Sequence, residues 1–284
     1  MGRGLEPSAR RGRRDDQDVI DRNEIIRCAD ADDVPAPTVE RDYVLAHVMC
    51  GIARHEEAAG MIFKGGTALR LCYVEDFRYS ADLDFSLEQM SRDEAMAVVG
   101  ATLESLKETL GFPELGLAQS EATEATEEPN VTPGRIYYQG PLGRRREIKL
   151  DLADDELIEE VSTASIIARY SDQAEGVETR VYARGEIAAE KLRCILQRLQ
   201  CRDLLDLWEL LERHDQRPDE IWPTFERKAR HRGFDPAEFP ERFERRIEEY
   251  RRRWDSELEG LVIGEVPRFG DIEREVRRRL RGQI

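Results

Sequence analysis

The chain has 284 residues, 40% hydrophobic and 37% charged, with a formal net charge of -16. That balance supports a modest packed core under a heavily charged surface, argues against disorder, and suits two domains or one with a large extension. The acidity argues against indiscriminate binding to nucleic acid, and no apolar run approaches the roughly 20 residues of a membrane span.

Residues 1–37 are expected to form a flexible lead. Its first part is rich in Arg, Asp and Gly, and a short helix is predicted from Val19 to Cys28. With no apolar h-region it is not a secretory signal, so the expected location is the cytoplasm. Pro35-Ala36-Pro37-Thr38 reads as a stop and a start, with Thr38 as N-cap of a helix reaching Ala59. Met61-Ile62-Phe63 reads as a short buried strand, Gly65-Gly66 as a turn, and Thr67 to Cys72 as a short helix. Asp82 to Leu87 alternates, with Asp82, Asp84 and Ser86 on one face and Leu83, Phe85 and Leu87 on the other. Ser91 and Glu94 form a capping box for a helix ending at Gly111.

Residues 118–133 read as an acidic, polar loop with weak strand character. Arg135 to Gln139 and Arg145 to Ala153 read as a hairpin that sets Lys149 and Asp151 on one face. Thr179 to Ala183 is predicted as a strand and Glu186 to Leu199 as an amphipathic helix, with a further helix from Arg202-Asp203. Beyond His214 the pattern is helical throughout, over Pro218–Arg232, Pro236–Leu258 and Asp271–Leu280. The fold class expected is α+β: a mixed sheet with flanking helices over 38–183, then a helical C-terminal domain over 184–284. The five cysteines form no CxxC pair and the four histidines have no zinc spacing, so all nine are read as packing or surface residues. The arginine runs at 144–146, 251–253 and 277–279 read first as solvated faces.

Chemistry concentrates between residues 63 and 85. Glycines at a turn let backbone amides approach a phosphate, and two carboxylates one residue apart on a strand share a face. Such parts can hold a nucleoside triphosphate with its magnesium. Two-metal phosphoryl transfer needs carboxylates that hold divalent ions about 3.5–4 Å apart. Asp82 and Asp84 supply two, and Asp151, on the polar face of an otherwise apolar strand, supplies a third. Alone, Asp82-Leu83-Asp84 reads as an exposed strand face. The glycine turn upstream and the matching acid downstream reverse that reading.

The order of strand, Gly-Gly, helix and Asp-Leu-Asp resembles the nucleotidyltransferase fold of the DNA polymerase β superfamily. More narrowly, the chain resembles the AbiEii/AbiGii (MenT-like) nucleotidyltransferase toxins of abortive-infection and type IV toxin–antitoxin systems. The motifs are Lys64-Gly65-Gly66-Thr67-Ala68-Leu69, Tyr79-Ser80-Ala81-Asp82-Leu83-Asp84, Glu190-Lys191-Leu192-Arg193 and Arg202-Asp203-Leu204-Leu205-Asp206-Leu207-Trp208. In order, they span residues 63–208.

The resemblance implies that Gly65, Gly66 and Thr67 cradle the triphosphate and that Asp82 and Asp84 bind Mg²⁺, with Mn²⁺ an alternative. It implies that Lys191 reaches the phosphates as a point charge. Asp203 is either the closing acid of the site or a helix N-cap, and Asp206 shares the ambiguity. The usual basic-x-basic-Asp approach to that motif is partly kept: position 200 is Gln, between Arg198 and Arg202. Lys64 and Arg70 flank the turn and are expected at phosphate or base, and Ser80 at nucleotide or metal. The expected reaction moves NMP from an NTP to an acceptor. The resemblance implies a tRNA 3′ end as acceptor and an AbiEi-like antitoxin, encoded nearby, as partner. A protein acceptor, or a nucleotide-binding interaction module without catalysis, are the alternatives.

Overall fold

The computed structural model describes residues 19–119 and 131–283. The lead before residue 19 and the middle of the expected 118–133 loop lie outside the described residues. The first helix, α1 (Arg22–Asp32), starts later than the sequence suggests because the Asp21 carboxylate caps it by accepting from the Glu24 amide. The next, α2 (Ala36–Ile52), begins one residue after Pro35, which takes the cap position without a side-chain bond. Thr38, expected as N-cap, therefore lies inside the helix, and its hydroxyl donates to the Gly260 carbonyl at 3.3 Å. The helix stops at Ile52 rather than Ala59. Its last turn tightens into bonds from Arg54 to Gly51 and from His55 to Ile52, and a 3₁₀ turn at Glu56–Gly60 follows.

Strand β1 (Met61–Lys64) runs straight into α3 (Gly65–Cys72), so the two glycines are the first turn of the helix, with no separate loop. Then come β2 (Asp82–Leu87) and α4 (Arg92–Leu110), which carries the predicted Ser91–Glu94 capping box and ends at Gly111. The hairpin forms as β4 (Val131–Gln139) and β5 (Arg145–Ala153), pairing Gln139 with Arg145. Two strands escape the sequence pattern, β3 (Glu114–Gln119) and β6 (Val161–Ser165), and both lie at sheet edges. Strand β7 (Glu178–Tyr182) completes a sheet of order β3-β4-β5-β2-β1-β7-β6, mixed in direction. The remaining helices are α5 (Arg184–Gln197), α6 (Cys201–Glu212), α7 (Pro218–His231), α8 (Phe239–Leu258) and α9 (Phe269–Arg279).

Two hydrophobic cores result. One joins the sheet to α2 and α4 through Val48, Phe63, Leu83, Phe85, Leu103 and Leu150. The other gathers α5 to α9 around Leu192, Leu204, Phe225, Phe243 and Trp254. The short strand β1 serves both: Phe63 faces the first core and Ile62 the second. A segment after α8 straps the halves together. The Tyr79 amide donates to Leu261 at 2.8 Å, the Ile263 amide to Phe77 at 3.1 Å, and the Gly264 amide to Asp32 at 3.0 Å. The five cysteines are free. Among the described residues, no helix is long and apolar enough to cross a membrane.

Candidate active site

Sheet register assembles the site. The antiparallel pairing of β1 with β2 sets Lys64 beside Asp84, and the parallel pairing of β2 with β5 sets Asp84 beside Asp151. Lys64, Asp84 and Asp151 thus form one row across three central strands, with Asp82 and Lys149 paired in the row next to it. All five share a face, because side chains alternate with period two.

The glycines allow the approach of α3 to this row. Gly65 has φ +77°, and a Cβ there would lie 2.6 Å from Asp84 Oδ2. A Cβ on Gly66 would lie 2.3 Å from Arg78 Nη2 and 3.3 Å from Ser80 Oγ. Gly65 takes a backbone conformation that favours glycine, and a side chain at either place would push Asp84 or Arg78 aside, so the positive end of α3 abuts Asp84, with Ser80 alongside. Thr67 is buried, and its hydroxyl donates to the Asp82 carbonyl, so it positions the acid strand instead of standing open.

The electrostatics of the row are unbalanced. Burial first, then the charges of Asp82 and Asp151, push the Asp84 carboxyl up to about 7, against the opposing pull of Lys64 and Lys149. Lys149 holds Asp151 Oδ2 at 2.5 Å, while Asp151 Oδ1 is buried with no hydrogen-bond partner among the described residues. Arg202 reaches Asp82 Oδ2 at 3.6 Å. Among the described residues, no group of three or more His, Cys, Asp or Glu side chains closes into a ready-made metal cage. The acids instead lie in an open row, with one orphaned oxygen and one carboxyl poised to lose a proton.

Lys64 does not stand free. Its ammonium donates to Glu156 Oε1 at 2.5 Å, and Glu156 also takes Arg232 at 3.1 Å, the Tyr182 hydroxyl at 2.9 Å and the Ser86 hydroxyl. Burial works against the Glu156 charge, but the charge and hydrogen bond of Lys64 and the Ser86 hydroxyl together hold the carboxyl below its ordinary range. Arg70, expected at phosphate or base, is buried against Asp42 at 3.3 Å and over the Tyr79 ring, so it serves the core.

Lys191 and Asp203 belong to a buried cluster. Lys191 Nζ lies 2.9 Å from Asp203 Oδ1 and 2.6 Å from Asp206 Oδ2. Arg78 grips Asp206 with two bonds of 2.6 Å, and Arg198 Nε meets Asp203 Oδ2 at 2.9 Å. Asp203 is the third residue of α6 and caps nothing; Gln200 takes the cap position. Asp203 and Asp206 both lie against the Lys191 ammonium. Burial opposes both carboxylate charges, yet Lys191 and Arg198 at Asp203, and Arg78 and Lys191 at Asp206, hold them below the ordinary range. Lys191 therefore acts on the glycine turn through Asp206 and Arg78. Its ammonium meets carboxylates in this structure, where the sequence suggests phosphate.

Sequence reasoning passed over Arg78 and Glu156, and noted Arg202 only as part of the basic approach to the last motif. Glu156 hides in the acidic run Asp154-Asp155-Glu156, and Arg78 lies in a polar link. Arg202 was the readable one, since it stands in the last motif beside Asp203.

Residues 47–275 match the family described as nucleotidyl transferase AbiEii toxin, type IV toxin–antitoxin system. The chain belongs to the AbiEii family. It is a nucleotidyltransferase toxin of the type IV class. Its fold is similar to that of MenT4, a nucleotidyltransferase toxin from Mycobacterium tuberculosis H37Rv, with a TM-score of 0.68 and 22% identity over 92% of this chain and 88% of that one. A comparison with curated protein sequences finds no match. The AbiEii assignment agrees with the sequence resemblance, and the MenT4 likeness with the expected α+β nucleotidyltransferase fold.

Two outcomes are expected. Lys191→Ala leaves two buried carboxylates short of a cation and lowers stability by about 3–5 kcal/mol in denaturant titration, whereas Asp82→Ala, at a half-exposed acid, changes it little. For Asp84, the folded carboxyl sits at about 7 against an ordinary 3.8, so the folded state binds the extra proton between those values and stability falls as pH rises through that window. Asp84→Asn removes that penalty. Its melting temperature should exceed wild type at pH 8 by several degrees and converge with it near pH 4.

Proposed function

We propose that the protein transfers NMP from an NTP to the 3′ end of a tRNA, with Mg²⁺ held by Asp82, Asp84 and Asp151. The observation that carries this is the row Lys64, Asp84, Asp151: a raised carboxyl, an orphaned carboxylate oxygen and a lysine, in register beside a glycine helix start. The donor set fits a divalent ion, since it is all carboxylate and carries excess negative charge. A bound ion would neutralise phosphate charge and polarise the α-phosphorus.

The chain's own residues do the rest. The first turn of α3, at Gly65 and Gly66, receives the triphosphate, with Ser80 at its side and Thr67 fixing the Asp82 strand. Lys64 turns from Glu156 to the phosphates; Glu156 keeps Arg232, Tyr182 and Ser86, so the move leaves no bare buried carboxylate. Lys191, with Asp203 and Asp206, holds Arg78 against Gly66 and keeps the turn in shape. An acceptor hydroxyl attacks the α-phosphorus, and pyrophosphate leaves. In this reading residues 38–183 hold the nucleotide, and residues 184–284 form the helical unit that braces it. An AbiEi-like antitoxin is the cognate partner, and the cytoplasm is the place of action.

The test uses each α-labelled NTP with Mg²⁺ and total tRNA. Wild type should label the RNA 3′ end, and Asp82→Ala and Asp84→Asn should lower the rate by about 10²-fold or more. No label on any RNA would overturn the acceptor, and label on protein alone would replace it with a protein hydroxyl. Mg²⁺ should also raise the melting temperature of wild type but not of Asp84→Asn. That shift should shrink as pH falls through 7, because protons then compete for Asp84.

A further inference from the structure

We infer that the pocket between the α5–α6 link and α8, lined by Arg198, Arg246 and Arg253, binds a backbone phosphate of the RNA acceptor. The inference rests on the RNA acceptor proposed above. The pocket has a volume near 580 Å³, Gln197, Leu199 and Gln200 complete its wall, and no acidic residue is among those lining it.

Such a place is unusual on this molecule. The formal net charge is -16, and the arginines of the runs at 251–253 and 277–279 pair with carboxylates, Arg253 with Glu257 among them. Arg251 and Arg277 share Glu273, Arg252 meets Glu249, and Arg278 meets Glu212. Arg246 is different. Its hydrogen bonds go to the carbonyls of Ile195, Leu196, Gln197 and Arg198 at the end of α5, and among the described residues it makes no ion pair with a carboxylate. Burial, with Arg242 and Arg245 nearby, pulls its guanidinium pKa down, against the pull of Tyr250. Arg198 and Arg253 already hold Asp203 and Glu257, so Arg246 is the pocket cation left without a carboxylate among the described residues, and a half-buried cation in that state is stabilised by an incoming anion.

Position selects the anion. Gln200 on the pocket wall accepts from Arg202 Nε at 3.0 Å, and Arg202 reaches Asp82 at 3.6 Å. Arg198, on the same wall, holds Asp203. The pocket therefore opens within two side chains of the acids, on the helical side, while the triphosphate has the turn of α3. An acceptor strand whose 3′ end reaches the row would bring an upstream phosphate here. An all-acid row repels a polyanion, and three arginines beside it offset that repulsion where the strand must pass.

Arg253 is exposed and its ion pair with Glu257 lies within one helix, so Arg253→Gln should fold normally. Full-length chains carrying Asp82→Ala, which removes chemistry, are tested for tRNA binding over a salt series, with and without Arg253→Gln. The expected result is about 5- to 10-fold weaker binding and a salt slope shallower by about 1. In active enzyme the same change should raise KM for tRNA by that factor, leaving KM for NTP and kcat unaltered. A raised KM for NTP would mean that the pocket takes the triphosphate, and would overturn the inference. So would unchanged affinity and slope in both Arg253→Gln and Arg246→Gln, with folding verified by thermal melting. Label on tRNA with unchanged variants sinks this pocket alone. Absence of label from every RNA with wild type sinks the transfer reading and this inference with it.

Discussion

The bidentate grip of Arg78 on Asp206 is the interaction on which the site depends. Arg78 sits where a side chain on Gly66 would be, so it forms the floor under the first turn of α3. Asp206 sits on α6, in the helical half. One ion pair therefore sets the glycine turn against the opposite core. Lys191 neutralises Asp206 from the other side and shares itself with Asp203, which Arg198 completes. Each buried charge has at least one opposite neighbour, the condition under which charges persist in a protein interior. The glycines, the row of acids and the helical half are parts of one electrostatic arrangement.

The row itself works by the opposite logic. Asp82, Asp84 and Asp151 are left with less positive charge than they need. Lys64 is drawn off by Glu156, and Lys149 and Arg202 each attend to one acid. A folded protein normally removes such an imbalance. Its survival here, with a carboxyl pushed up to about 7 and an oxygen that has no partner among the described residues, is what supports the proposed binding role of the row.

Much of this was legible in the sequence. Period-two alternation placed Asp82 and Asp84 on one face, and the same rule put Lys149 and Asp151 together on a later strand. The capping box at Ser91 and the hairpin at Gly140 were local signals, and they formed as read. What could not be read was pairing at long range. Arg78 and Asp206 are 128 residues apart, and Lys64 and Glu156 are 92 apart. A charged residue does not announce its partner, so the lysine and the acid of the later motifs were noticed while their mutual neutralisation was not. The missed strands have a different cause. β3 and β6 are edges, where one neighbour is absent and the pattern of buried side chains is weak.

The strap after α8 has a consequence for the order in which the chain is made. Of the residues that flank Arg78, Phe77 accepts a backbone bond from the Ile263 amide and Tyr79 donates one to the Leu261 carbonyl. The ribosome emits the acids early and these last bonds some 180 residues later. Until the strap emerges, the loop carrying Arg78 lacks its backbone partners and the floor beneath Gly66 is not set. A chain cut before Leu261 would keep the acids, the glycines and Asp206 but lose two of the backbone bonds that hold the loop carrying Arg78.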